Sequence, residues 1–197
     1  MKKIKKWFKS IKDVIVNPRQ FFSKIVADGD IEESMLKAFI YGLLGGLLVL
    51  GLRLVGGATI TINSVFTAVV IVPVIAVALL FVGGGLLMLV SEITSGERDW
   101  EIAIKGLASI FFIYPVILVL NAMAFNCLSM WIISIIGDIY VLFLFYNIAL
   151  YCMRGRRAAV MVVVGIFAIF MITVYLTNYR VGWFLLKNTS AALSCLI

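Results

Sequence analysis

The feature that most constrains this chain is the apolar run Met130–Arg157, which ends in Arg154, Arg156 and Arg157. It stays apolar for more than about 20 residues, the length of a helix that crosses the hydrocarbon core of a bilayer. Arginines and lysines gather at the cytoplasmic ends of such helices. The run therefore predicts a transmembrane helix whose C-terminal end faces the cytoplasm.

Four more apolar runs have a similar length, and the composition agrees with them. The chain is 63% hydrophobic and only 14% charged, whereas a soluble domain is about 25% charged. We therefore predict an all-α fold, a polytopic membrane protein with a five-span transmembrane helical bundle. The predicted spans cover residues 35–55, 65–90, 102–124, 129–152 and 158–178.

The bundle is preceded by a basic segment that predicts an amphipathic helix over residues 1–16. Its apolar residues recur at helical spacing and include Trp7 and Phe8. The other positions are filled by cations, namely Lys2, Lys3, Lys5, Lys6, Lys9 and Lys12. Such a helix lies in the membrane interface and binds anionic lipid headgroups, and a frayed basic tail is the alternative.

Two helix starts follow this segment. Asn17-Pro18 has the pattern of an N-cap followed by proline at the first helical position, and it predicts a short helix over Pro18–Val26. Asp30 with Glu33 three residues later has the capping-box pattern and opens the first span.

The distribution of cations predicts the topology. An arrangement with the N-terminus in the cytoplasm leaves three cations on the other side, Arg53, Arg180 and Lys187, as the positive-inside rule requires. In this topology, residues 1–34 form cytoplasmic amphipathic and juxtamembrane helices, and residues 35–178 form the five-span membrane domain. Residues 179–197 form an interfacial tail on the non-cytoplasmic side. Cys127 and Cys195 fall on this outer side, where a disulfide can form.

Small residues indicate where the helices approach one another. Ala38, Gly42 and Gly46 recur at every fourth position of the first span, a spacing that permits close helix contact. Pro73 and the run Gly83–Gly85 predict a kink or a second close-packed patch in the second span. The tight turn at residues 154–157 predicts an antiparallel hairpin of the fourth and fifth spans.

Asp138 is the one acid deep within an apolar run, and it defines the candidate site. A carboxyl group at that depth is costly, so it is expected to have a partner or a function. At about 100° per residue it shares a helix face with Ser134, which predicts that it points into the bundle. The candidate partners are Ser134, Asn121 and Arg53. A cation or proton site and a purely structural hydrogen bond both fit.

The sequence does not indicate an enzyme. It contains no His, so a nucleophile with a histidine base and a histidine-based metal site are both excluded. Its cysteines lack metal-ligand spacing, and Gly83–Gly85 lies in an apolar span where no phosphate could reach it. We expect no enzymatic activity, no cofactor, no metal and no nucleic-acid partner.

Several motifs resemble the Ypt-interacting protein (Yip) domain family, particularly its prokaryotic-type members, over about residues 15–178. They are Asn17-Pro18-Arg19-Gln20-Phe21-Phe22, Ser95-Gly96-Glu97-Arg98-Asp99-Trp100, Ala108-Ser109 with Pro115, Gly137 with Tyr140, and Gly155-Arg156-Arg157-Ala158. The resemblance implies five spans with a cytoplasmic N-terminus and a prokaryotic cell membrane. Eukaryotic members act with Rab-type GTPases in vesicle trafficking, but this chain has no long acidic N-terminal domain of the kind they carry.

The expected function follows from these features. The first hypothesis is a non-enzymatic integral membrane protein that organises the membrane or partner proteins, with anionic lipid headgroups, a second copy or another membrane protein as its partners. The alternative is a transporter or channel subunit with a polar intramembrane site at Asp138.

Overall fold

The architecture is that of a computed structural model, which describes residues 11–24, 30–56, 59–124, 128–169 and 173. The described residues are overwhelmingly helical and contain no strand, which confirms the all-α prediction. The basic residues from Lys2 to Lys9, with Trp7 and Phe8, lie outside the described residues, as do Cys127, Cys195 and the tail 179–197. Residues 11–16 are helical.

Seven helices follow in chain order. They are α1 (Pro18–Lys24), α2 (Ile31–Val55), α3 (Ile62–Ile93), α4 (Trp100–Ala108), α5 (Tyr114–Ala124), α6 (Leu128–Asn147) and α7 (Arg157–Ile169). A π-helical turn, Thr67–Ile71, lies within α3, and a second one, Ile148–Cys152, continues α6. A 3₁₀ turn, Phe111–Ile113, joins α4 to α5.

Four helical segments of the described part of the chain are long and apolar enough to cross a membrane. They are Ile31–Val55, Ile62–Ile93, Trp100–Met123 and Ile133–Cys152. They agree in position with the first four predicted spans. The fifth predicted span is described as the shorter apolar helix α7, Arg157–Ile169, and the rest of it, apart from residue 173, lies outside the described residues.

The small residues of α2 are its contact surface with α3, which confirms the close packing expected from their spacing. Ala38, Gly42 and Gly46 are all buried. A Cβ atom on Gly42 would lie 2.7 Å from Cα of Pro73, and one on Gly46 would collide with the carbonyl oxygen of Ala68. The two helices meet backbone to backbone because glycine leaves room for that approach.

The backbone of α3 explains why the approach occurs at this point. In the π-helical turn the N–H of Val72 donates to the carbonyl of Thr67, five residues earlier. The next bond of this pattern would run from residue 73 to the carbonyl of Ala68, but Pro73 has no N–H. Gly46 packs directly against that Ala68 carbonyl.

The three glycines of α3 pack against α4, so Gly83–Gly85 is a second close-packed patch within a continuous helix. A Cβ atom on Gly83 would collide with the side chain of Leu107, and one on Gly84 would lie 3.1 Å from Ile104. Both Leu107 and Ile104 are buried. The segment Trp100–Met123, which begins with α4, is more buried than the other three membrane-length segments.

The expected side-chain cap at the start of α2 is not formed. Asp30 is the N-cap residue, but its carboxylate accepts no hydrogen bond from the first turn. Glu33 instead forms an ion pair with Lys37, 2.8 Å away and one turn later. The Asp30–Glu33 pattern therefore located the helix start correctly and was wrong about the capping box. The Asn17-Pro18 start is confirmed, since α1 begins at Pro18.

The contact of Gly46 with Ala68 yields a stability prediction. Gly46→Ala should destabilise the fold by about 1–3 kcal/mol, because the added methyl group forces two backbones apart. Gly51→Ala is the matched control on the same helix, since a Cβ atom there meets nothing within 4 Å. That control should be neutral or stabilising by up to about 1 kcal/mol. Unfolding of both variants in mixed micelles measures the difference, and equal stabilities would contradict the packing described.

Candidate functional site

The structure brings together two of the four residues of the expected intramembrane site. The hydroxyl group of Ser134 on α6 donates a hydrogen bond of 2.5 Å to Oδ1 of Asn121 on α5. Ser134 is buried, with 1% of its surface exposed. The bond ties two neighbouring helices and gives a buried hydroxyl the partner it needs.

Asp138 lies one turn further along α6 and is half-buried. No ion pair or hydrogen bond joins it to Arg53, although both belong to the described residues. Asn147 of α6 is more deeply buried than Asp138, and its side-chain amide donates to the carbonyl of Phe143 at 2.7 Å. Within the described residues, no group of three or more Cys, Asp or Glu side chains is placed to hold a metal ion.

Arg53 belongs to a different place in the fold. It is exposed at the C-terminal end of α2 and lines a cavity with residues from α3 and α5. The four residues expected to share one polar site are therefore distributed over at least two locations. Asn121 and Ser134 are bonded to each other, and Arg53 belongs to this cavity.

The most tightly connected polar structure lies at the other end of the bundle, and we name it the basic cap. It consists of α1, the loop 94–99 between α3 and α4, and the turn 153–156 between α6 and α7. Its helix α1 packs against the π-helical turn after α6. Phe22 is fully buried there, its carbonyl accepts a 3.2 Å hydrogen bond from the Cys152 thiol, and the Arg19 guanidinium lies 5.4 Å from the centre of the Tyr151 ring.

The two connections of the basic cap are joined backbone to backbone. The N–H of Glu97 donates to the carbonyl of Met153 at 2.7 Å, and the N–H of Arg156 donates to the carbonyl of Thr94 at 3.0 Å. Arg154 forms an ion pair of 2.6 Å with Glu97. These bonds fix the N-terminal end of α7 relative to the C-terminal end of α3.

Buried hydroxyl groups complete the junction. Ser91 is fully buried and its hydroxyl donates to the carbonyl of Glu97 at 2.6 Å. Thr94 is 1% exposed and its hydroxyl donates to the carbonyl of Val90 at 2.8 Å. Both buried hydroxyl groups of the junction thus have a partner, and satisfied polar networks of this kind rigidify a fold.

Close approach requires glycine at two positions of the cap. A Cβ atom on Gly155 would lie 2.6 Å from Oγ1 of Thr94 and 2.7 Å from the side chain of Val160. A Cβ atom on Gly96 would collide with the carbonyl of Met153. Neighbouring Ser95 and Arg154 adopt left-handed backbone angles, with φ of 57° and 53°, which non-glycine residues adopt rarely.

The outer surface of the cap is cationic. Of the two acids in its loops, Glu97 is paired with Arg154, and the Asp99 carboxylate accepts hydrogen bonds from the first turn of α4. Glu92, at the end of α3, is paired with Arg98. Five more cations at this end are exposed and form no ion pair with an acid in the described part of the chain, namely Lys12, Arg19, Lys24, Arg156 and Arg157. Such a surface attracts anionic groups. Each cation near a negatively charged membrane contributes about 1 kcal/mol to the binding free energy.

Sequence reasoning grouped the cations of the cap at one end of the bundle but missed the internal bonds of the cap. Ser91 lies in the last turn of α3, Thr94 and Gly96 follow it in one loop, and Gly155 lies in another. The Glu97–Arg154 hydrogen bond between these two loops spans 57 positions. The glycines flanked by charged residues were the available signal. Their partner loop could not be identified without the fold.

Comparison of the chain with protein-family models, with curated proteins and with solved structures finds no match. The site is therefore interpreted from its own geometry.

The junction of the cap gives a second prediction. Gly155→Ala should destabilise the protein by about 1–3 kcal/mol, because the methyl group would overlap the Thr94 hydroxyl and Val160. Gly165→Ala is the control, since a Cβ atom at this position of α7 meets nothing within 4 Å. Thermal unfolding in detergent compares the two. A Gly155→Ala protein as stable as the Gly165→Ala protein would show that the two loops are not joined as described.

Proposed function

We propose that this chain is a non-enzymatic integral membrane protein that binds anionic lipid at its cytoplasmic face and thereby organises the membrane or partner membrane proteins. One observation carries the proposal. The basic cap holds its exposed cations on a rigid frame at one end of a set of helices long enough to span a bilayer.

The geometry of the cap supports this function in two ways. Burial of Phe22 and the Cys152–Phe22 hydrogen bond hold α1 against the bundle, so its cations have a fixed height relative to the membrane-length helices. Arg156 and Arg157 stand at the start of α7, at the level expected for lipid phosphates when the helices cross the bilayer. A fixed array of cations at that level selects anionic lipid.

The resemblance to the Yip domain family adds support. It covers about residues 15–178 and includes Asn17-Pro18, which starts α1, and Gly155-Arg156-Arg157, which forms the turn of the cap. We propose that the chain is a prokaryotic-type member with a cytoplasmic N-terminus. A GTPase partner is not part of the proposal.

The alternative function is a transporter or channel subunit that uses Asp138. Its half-buried position beside the Asn121–Ser134 hydrogen bond favours this second candidate. The bond itself is equally well suited to holding α5 against α6. Transport also usually uses several polar groups along a path, and Arg53 belongs to a separate cavity.

The test of the first proposal uses the full chain in vesicles of phosphatidylcholine and phosphatidylglycerol. Spin-labelled phosphatidylglycerol should associate with the wild-type protein several-fold more strongly than spin-labelled phosphatidylcholine. Replacing Arg156 and Arg157 together by Gln should weaken this preference, because two of the five exposed cations are lost and each contributes about 1 kcal/mol. Replacing both by Lys is the matched control and should retain it.

Two further readouts separate the candidates. Raising the salt concentration should weaken the lipid preference, since the cations are exposed and therefore screened. If the double Gln variant keeps the full preference, the proposed lipid-binding face is wrong. Cation or proton flux through the wild-type vesicles that Asp138→Asn abolishes would favour the transporter instead.

A further inference from the structure

The end of the bundle opposite the basic cap contains a cavity of about 450 Å³ between α2, α3 and α5. This volume lies within the usual range of small-molecule sites, about 300–1,000 Å³. Its lining residues are Gly46, Val49, Leu50, Arg53, Thr61, Asn63, Ser64, Thr67, Ala68, Val72, Leu118 and Ala122.

The lining is polar at one end and apolar at the other. Arg53 stands close to the C-terminal end of α2, and Thr61 and Asn63 stand at the start of α3, so the polar groups surround the mouth of the cavity. Further into the bundle the walls are apolar and include Val72 and Leu118. A ligand that fills this cavity needs a polar head and an apolar body.

The mouth also carries an uncompensated positive charge. Arg53 forms no ion pair or hydrogen bond within the described residues, and the side-chain amide of Asn63 likewise makes no hydrogen bond there. Thr61, Ser64 and Thr67, in contrast, use their hydroxyl groups within the first turns of α3. Two donor side chains at the mouth therefore remain available to an external acceptor.

The chain itself supplies almost no counter-charge for Arg53. The connections at this end, residues 56–61 and 124–128, contain no Asp or Glu, and no acidic side chain occurs after Asp138. Asp138 forms no ion pair with Arg53. The anion that neutralises Arg53 is therefore not an acidic side chain of this protein.

The position of Arg53 identifies the source of that anion. At 1.5 Å per residue, Arg53 lies about 33 Å along α2 from Ile31, which matches a hydrocarbon core of about 30 Å. When α2 crosses a bilayer with Ile31 at one surface, Arg53 reaches the phosphate level of the other surface. The groups concentrated at that level are lipid phosphates.

From these observations we infer that the cavity binds one anionic phospholipid, with its phosphate on Arg53 and Asn63 and one acyl chain along the apolar wall formed by Val72 and Leu118. This site is distinct from the lipid-binding face of the basic cap, because it lies at the other end of the bundle and holds a single molecule. It depends on the chain crossing a membrane and does not depend on the function proposed for the cap.

The experiment is native mass spectrometry of the full chain in a mild detergent, titrated with phosphatidylglycerol. The wild-type protein should retain one phosphatidylglycerol per chain. Arg53→Gln should weaken this binding about tenfold, the usual scale for losing a charge-assisted hydrogen bond. Arg53→Lys keeps the charge and should bind with an affinity between those two.

A second variant tests the apolar wall without changing the charge. Ala122→Phe should place a large ring on the α5 wall of the cavity and weaken phosphatidylglycerol binding although Arg53 is retained. Gly51→Ala is the matched control on α2, because it changes no charge and lies outside the cavity lining, and it should leave the single-lipid binding unchanged. Gel filtration of every variant checks that the protein is folded, and Arg53→Gln, at an exposed position, keeps the test valid if Ala122→Phe does not fold.

Three results would overturn the inference. If the wild-type and Arg53→Gln proteins bind phosphatidylglycerol with equal affinity, the lipid phosphate does not bind Arg53. Displacement of the lipid by millimolar inorganic phosphate would show that the site takes a free anion. If the protein retains phosphatidylcholine and phosphatidylglycerol equally, the site has no preference for an anionic lipid. If replacing Arg156 and Arg157 by Gln leaves the lipid preference in the spin-label experiment unchanged, the proposed function of the cap is wrong. The inference about the Arg53 cavity does not depend on that result.

Discussion

The contact between Gly46 of α2 and the Ala68 carbonyl of α3 determines much of the rest of the structure. In a membrane, helices do not gain from burying apolar surface against each other, because lipid is equally apolar, so close van der Waals contact has to hold them together. Glycine on one helix and a proline-interrupted π-helical turn on the other allow that contact. The same turn contributes Thr67 and Ala68 to the wall of the Arg53 cavity. The packing of α2 on α3 therefore also shapes the candidate lipid site.

The two ends of the bundle use charge in opposite ways. At the basic cap, acids pair with some of the cations, and the loops are joined by backbone hydrogen bonds between residues 94–97 and 153–156. At the other end, within the described residues, the exposed Arg53 stands at a cavity with no acid nearby in the sequence. The first arrangement gives a broad, rigid cationic surface, and the second gives one localised site. The proposals for the two ends follow from this difference.

Sequence reasoning predicted the features that depend on local pattern. Length and hydropathy located four membrane-length helices, Pro18 marked the start of α1, and the spacing of Ala38, Gly42 and Gly46 identified the packed face of α2. It failed where several side chains compete for the same partner. Glu33 pairs with Lys37 instead of completing a capping box at Asp30. Arg53 lines a cavity instead of reaching Asp138, because its depth on α2 places it at the end of the bundle.

The proposed function requires that the basic cap and the Arg53 cavity lie on opposite sides of a membrane, with the cap in the cytoplasm. Cysteine accessibility tests it most directly. Single cysteines are introduced as Lys24→Cys in the cap and Ile62→Cys beside the cavity, both at exposed positions, in a protein whose three natural cysteines are replaced. In intact cells a membrane-impermeant maleimide should label Ile62→Cys and should label Lys24→Cys only after the cells are opened. Labelling of both sites in intact cells, or of Lys24→Cys alone, would contradict the account.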